Sequence, residues 1–288
     1  MANNIKQIFI MHIKQSLFLL VAPLLLLSST AQSSPYVIQD NYIGGGATHA
    51  SWNNHDVIGS PLNFDISHME IDITGSKLTV SIFSTYFKNV GYLNTVLGDL
   101  FISTNGWNPS GDAPYASDTY HNGTKWDLAI TLDNHGGTVG TETNHISDFT
   151  GESGVASLYQ IYDENIILTN VSGGYYRGDQ VTQYDNSSQQ ALALGNWFID
   201  AISGSDYAKL TFELDFTGLN LYASDQIGFH WNMSCGNDTI QGAYTLPTSQ
   251  AAFITGTTGG GGDNSIPEPS VIFLLGAGLV GLKKRKLR

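Results

Sequence analysis

The 288-residue chain has one cysteine, Cys235. An intramolecular disulfide is excluded, so stability has to come from packing. A lone cysteine in such a chain reads as a small buried apolar residue rather than a reactive thiol. Cations are scarce where a partner would meet them. Residues 34–265 hold five, Lys77, Lys88, Lys125, Arg177 and Lys209, against 24 carboxylates, a net charge of −19. The whole-chain value of −13 conceals this, because the other cations lie at the two ends. Such a balance excludes the basic face that nucleic acid requires. It suits solubility outside the cell and divalent cations. Enzyme signatures are missing too. There is no Gly-x-Ser-x-Gly elbow, His-Glu-x-x-His helix, phosphate loop or dinucleotide fingerprint. Glycosidase carboxylate pairs are defined by distance in space, so a glycan-active enzyme stays open as the weakest reading.

What the middle of the chain does have is a period of two. In KLTVSIF (77–83), Leu78, Val80 and Ile82 share one face. WDLAITLD (126–133) sets Trp126, Leu128, Ile130 and Leu132 inward and Asp127, Thr131 and Asp133 outward. AKLTFELDF (208–216) and IGFHWNMSC (227–235) alternate in the same way, the latter with His230 on the outward face. Each is the mark of a half-buried strand. Weaker strands are predicted at 64–74, 98–104, 156–162 and 166–171, and 191–202 fits strand or helix. The connections, notably 104–124 and 133–145, are rich in Gly, Asn, Asp and Ser, which are turn formers. Many short strands with few helical patterns predict an all-β ectodomain over 34–254, an antiparallel β-sandwich of jelly-roll type. The Gly-rich stretch 255–265 reads as a flexible linker.

The long apolar runs are confined to the ends. Lys6 and Lys14 precede an apolar run over 17–27 and then small residues including Ala31. That is the order of a secretory signal peptide, assigned to 1–33. No lipoprotein-type cysteine follows it. At the other end, Pro267, Glu268 and Pro269 precede an uncharged apolar run over 270–282, and Lys283, Lys284, Arg285, Lys286 and Arg288 close the chain. Thirteen residues of helix rise only about 20 Å, against a hydrocarbon core of about 30 Å. The basic cluster changes the reading: such residues are retained on the cytoplasmic side and snorkel, lengthening the effective span.

The order Pro-Glu-Pro, short apolar helix, basic terminus resembles the PEP-CTERM sorting signal of Gram-negative bacteria. The resemblance covers 266–288. It implies a precursor held in the inner membrane by a single transmembrane helix, 270–282, with 283–288 as the stop. It further implies cleavage by the membrane protease-transpeptidase exosortase near Pro267, Glu268 and Pro269, and a place at the cell surface or in the matrix alongside exopolysaccharide and biofilm. The alternative for this tail is an ordinary anchor. Three blocks, GDLFISTNGW (98–107), GTKWDLAI (123–130) and IGFHWNMSCGNDTIQG (227–242), are similar to recurring blocks of a group of exosortase-dependent surface proteins that carry no assigned activity. The strand pattern is also similar to that of carbohydrate-binding β-sandwich modules, which is fold analogy only. The expected function is therefore non-enzymatic and exported, with carbohydrate binding as the alternative. The expected partners are the secretion machinery, exosortase, the inner membrane and exopolysaccharide.

Within the ectodomain, Trp107 and Tyr115 lie in the long loop, where an exposed ring could stack on a pyranose or else anchor the loop. Asn237 and Asp238 follow the 227–235 strand, as a ligand or cation site with neighbouring carbonyls or as a tight turn. No cofactor is expected. Calcium is the one metal that the oxygen-rich loops suit, with Asp112, Asp118 and Asp127 clustered in sequence. His49, His55, His68, His121, His135, His145 and His230 show no paired zinc spacing and read as surface or hydrogen-bonded structural residues.

Overall fold

The structure is a computed structural model, and it describes residues 34–45, 55–90, 95–137, 148–162, 167–169, 177, 179–186, 189–217, 219 and 226–245. The signal peptide, the Gly-rich linker and the sorting tail lie outside the described residues. Among the described residues no helix is long and apolar enough to cross a membrane.

Among the described residues there are twelve strands: β1 (Tyr36–Gln39), β2 (Ile66–Thr74), β3 (Lys77–Ser84), β4 (Leu100–Ser103), β5 (Leu128–Leu132), β6 (Ser153–Gln160), β7 (Ile167–Thr169), β8 (Val181–Tyr184), β9 (Ala193–Ala201), β10 (Ala208–Asp215), β11 (Gln226–Asn232) and β12 (Thr239–Thr245). A single helical turn, α1 (Pro61–Phe64), and a 3-10 turn at Tyr86–Lys88 precede and follow the β2–β3 hairpin. The protein is all-β, and every strand pairing is antiparallel. A jelly-roll sandwich divides its strands between two packed sheets. Here ten strands are continuous in one sheet, in the order β1-β2-β3-β10-β9-β6-β5-β4-β11-β12, and β7-β8 form a separate hairpin ladder. The sheet curls until its first and last strands meet. Tyr36 and Tyr244 touch edge to face at 5.4 Å. A methyl group at Gly242 would lie 2.5 Å from Ile38 Cγ2, so glycine permits the approach of β12 to β1. The result is a nearly closed barrel.

The interior is built by the alternation visible in the sequence. One cross-strand row runs Ile71, Val80, Phe212, Trp197, and a second runs Ile73, Leu78, Leu214. With Leu100, Ile130, Phe229 and Trp231 these residues form one buried cluster. Burying each of them contributes roughly 1.5–3 kcal/mol. The ambiguous 191–202 segment is a strand because β6 and β10 flank it on both sides.

A second cluster lies on the outer face of β4, β5 and β6. Phe101, Ala129 and Tyr159 pack there with Tyr120, Trp126, Val181 and Tyr184, beneath the β7–β8 hairpin. This corrects two expectations. Trp126 precedes β5 rather than sitting in it, and it packs outside the barrel, 5.3 Å from the His230 ring. Thr131, expected to face water, is buried because β5 is covered on both faces. Cys235 is buried as expected, and burial pushes its thiol up to about 12.

Candidate functional site

The seam where β1 meets β12 is the one place where the sheet presents two facing edges. The 104–124 loop folds beside it and is fixed by polar contacts rather than by strand pairing. Asp118 stands at its centre. The carboxylate accepts from Ser110 N at 2.6 Å and from Tyr42 Oη at 2.5 Å, and its own carbonyl accepts from Gly45 N and Gln180 Nε2. Gln241 of β12 continues the network: its Oε1 accepts from Trp107 Nε1 at 3.1 Å, and its Nε2 donates to Tyr42 Oη at 3.0 Å. Burial raises the Asp118 carboxyl, and the hydrogen bond from Tyr42 opposes it.

Trp107 and Tyr115 are brought together by this loop. Their rings meet edge to face at 5.1 Å, and Tyr115 stacks on Tyr42 at 6.1 Å. Tyr115 has φ of 64°, a left-handed conformation that costs a non-glycine residue roughly 1–3 kcal/mol. Its main chain is held there by Tyr115 N donating to Asp112 O and Asp118 N donating to Tyr115 O. The three rings line a groove of about 500 Å³ together with residues of the β1–β12 seam. Gln39, Asn41 and Gln226, all amide residues, line the same groove, as does the half-exposed Tyr36.

A second cluster begins one residue from that lining. Asp40 lies between Gln39 and Asn41, immediately after β1, and Asp238 lies immediately before β12. Together with Asp56 they place carboxylate oxygens within 4.8 Å of one another. Asp238 is fully buried; its oxygens accept from Ile66 N at 2.7 Å and Thr239 N at 2.9 Å. Both Asp40 oxygens are sealed from solvent and have no hydrogen-bond partner. The three loops that carry the triad are tied by Arg177. Its guanidinium donates to the main-chain oxygens of Ile43, His55, Asp56, Gly236 and Asn237, which uses all five N–H groups. Burial, then the neighbouring Asp238 and Asp56 charges, pushes the Asp40 carboxyl well above the usual range. Burial raises Asp238 and Asp56 as well, with Arg177 opposing in each case, and burial lowers Arg177 itself.

Of the residues singled out in the sequence, Trp107 and Tyr115 share the groove, and Asp238 belongs to the triad. Asn237 Nδ2 donates to Ile58 O at 2.5 Å, while its buried Oδ1 has no partner. Asp112, Asp118 and Asp127 form no such cluster. Asp118 is committed to Tyr42 and Ser110, and Asp127 accepts from Thr104 N and Oγ1. Two histidines expected at the surface or on an outward face are buried: His135 Nε2 lies 2.7 Å from Asp99 Oδ1, and His230 sits under the β7–β8 hairpin. His68 stacks on Phe83 at 4.1 Å, and His49 and His145 lie outside the described residues. The residues that sequence reasoning missed are Asp40, Asp56 and Arg177. The available signal was that Arg177 is the only arginine in 34–265.

No protein-family model matches this chain, and neither the curated proteins nor the solved structures contain a significant match to it. Function has to be argued from the seam itself.

Proposed function

We propose that the chain is an exported, non-enzymatic surface or matrix protein whose folded domain binds a saccharide in the groove at the β1–β12 seam. The observation that carries the binding part is the joint presence of Trp107, Tyr115 and Tyr36 rings with the amides of Gln39, Asn41 and Gln226 in one open groove. Aromatic faces take the apolar face of a sugar ring, and amides exchange hydrogen bonds with its hydroxyl groups, the mix expected of a selective site. Burial of the Trp107 edge against Gln241 serves loop anchoring at the same time, so the two readings of that residue coexist.

The export part rests on the two ends of the chain. The head has signal-peptide order, and the tail resembles a PEP-CTERM signal, with Pro267, Glu268 and Pro269 as the processing site for exosortase. In this reading the 270–282 helix and the basic end hold the precursor in the inner membrane until cleavage. The released domain then works beside exopolysaccharide at the surface. Its acidity of −19 favours solubility there and argues against nucleic acid as a partner.

The test is calorimetric titration of the 34–265 domain with the producing strain's own exopolysaccharide. Saturable binding that falls at least about tenfold in Trp107→Ala, with the thermal midpoint little changed, supports the groove. Absence of binding overturns the saccharide reading and leaves a coat role.

A further inference from the structure

We propose that Asp40, Asp56 and Asp238 form a calcium site at the β1–β12 seam. The inference is independent of the saccharide reading, because it uses different residues and a different observation. The carboxylate oxygens already converge within 4.8 Å, which is the spacing of ligands around one hard cation rather than of charges kept apart. Proximity alone would not carry the assignment. Asp40 does: neither of its sealed oxygens has a donor. Buried carboxylates ordinarily accept hydrogen bonds, and leaving one unpaired is costly. Protonation against a neighbouring carboxylate would occupy one Asp40 oxygen and would still leave the other without a donor. Arg177 cannot supply the missing donor, since its five N–H groups are spent on main-chain oxygens.

Charge points the same way. Fully ionised, the three carboxylates and the guanidinium carry two net negative charges, which one divalent cation neutralises. Oxygen-only ligands select calcium or magnesium over zinc, and irregular loops favour the looser calcium shell. Asp238 keeps free lone pairs, because each oxygen accepts only one main-chain N–H. Asp56 is exposed and provides the open side through which the ion enters and keeps water. A second buried oxygen without a partner, Asn237 Oδ1, belongs to the residue beside Asp238. Bound there, the ion would clamp the end of β1 to the start of β12 and so hold the seam closed.

The test uses the 34–265 domain, which has its own core, stripped with chelator and titrated with calcium chloride by calorimetry and by thermal melting. The expected result is one saturable site, in the sub-millimolar to millimolar range of extracellular modules, about 10⁻⁴–10⁻³ M, and a midpoint that rises with calcium. Asp40→Asn gives the decisive sign. It removes a buried carboxyl that is crowded by two others and accepts no hydrogen bond, so it should melt higher than the parent in chelator. It should melt lower than the parent in calcium, with affinity down at least about tenfold. A structural carboxylate would shift both melts the same way. No binding and no midpoint change up to about 10 mM calcium overturns the site, as does unchanged affinity in Asp40→Asn. A response to magnesium equal to that to calcium overturns the choice of ion.

Discussion

Two buried charged clusters stand on the same barrel and are built in opposite ways. Asp99, fully buried, has every oxygen occupied: Oδ1 meets His135 Nε2 at 2.7 Å and Leu132 N at 3.2 Å, and Oδ2 accepts from Tyr184 N at 2.9 Å. It ties the start of β4 to the end of β5 and to β8. At the seam the arrangement is reversed. The cation there spends itself on main-chain oxygens, while Asp40 is left with none of its oxygens paired. A satisfied buried network specifies a fold; an unsatisfied one is expensive and signals a missing partner. The Asp99 knot is therefore assigned to stability, and the seam cluster to binding.

The largest effect expected from breaking this contrast comes from Arg177→Ala. It orphans five carbonyl oxygens and removes the neighbouring positive charge from three carboxylates, so unfolding stability should fall by at least about 3–5 kcal/mol in urea titration. Arg177→Lys should recover only part of it, because an ammonium offers three donors without the planar fork. Asp99→Asn comes next, at about 2–3 kcal/mol, since an amide nitrogen must face donors that an oxygen accepted before. The sharpening comparison is calcium. Added calcium should leave the Asp99→Asn deficit unchanged and should alter the Arg177→Ala deficit. Equal responses would place the two clusters in one class.

A smaller effect separates the covered half of the barrel from the open half. His230 is sealed under the β7–β8 hairpin; its Nε2–H donates to Val181 O at 2.7 Å, and Nδ1 has no partner. Burial pulls the ring down to about 4, with that hydrogen bond opposing. The unfolded chain has the ordinary value near 6.5. Between those values the unfolded state binds the extra proton. The contribution is fully present above about pH 6.5 and is lost as pH falls towards 4, by at most about 3 kcal/mol. His230→Gln keeps a donor and cannot titrate. The difference between parent and variant in urea midpoint at pH 7 and pH 4.5 should therefore shrink on acidification. A constant difference would mean that the ring is solvated.

How much of this was legible follows the covering of each strand. β3 and β10 alternate core residues with largely polar, mostly half-exposed ones on the other face, so alternation exposes them directly. β8 was missed: Val181, Thr182, Gln183 and Tyr184 are all buried, and two of them are polar, Gln183 donating to Leu97 O and Thr182 accepting from Asn232 Nδ2 of β11, so the segment has no apolar signature. β1 and β12 were missed as well, and they make the seam. β1 has four residues, of which only Ile38 is buried. β12 contains Gly242 where a period-two pattern wants a side chain, and its start is masked by the Gly236–Asp238 turn signal. The site divides likewise. Trp107 and Tyr115 could be read as loop aromatics eight residues apart, whereas positions 40, 56, 177 and 238 are joined only by closure of the barrel.

The smallest stability effect is expected at Tyr115, and it is the most informative about the groove. Tyr115→Gly relieves a positive φ, worth roughly 1–3 kcal/mol, because glycine adopts that region freely. It also deletes a ring that contacts Trp107 and Tyr42, worth roughly 0.5–1.5 kcal/mol per aromatic pair. The two terms nearly cancel, so the midpoint should move by no more than about 1 kcal/mol in either direction. Saccharide binding, by contrast, should fall at least about tenfold, because the ring is part of the groove wall. Strain at a residue that contributes so little net stability is what a binding wall, and not a packing core, would retain. If Tyr115→Gly instead unfolds the domain, the loop is fold glue like Asp99, and Trp107 has to be reassigned with it.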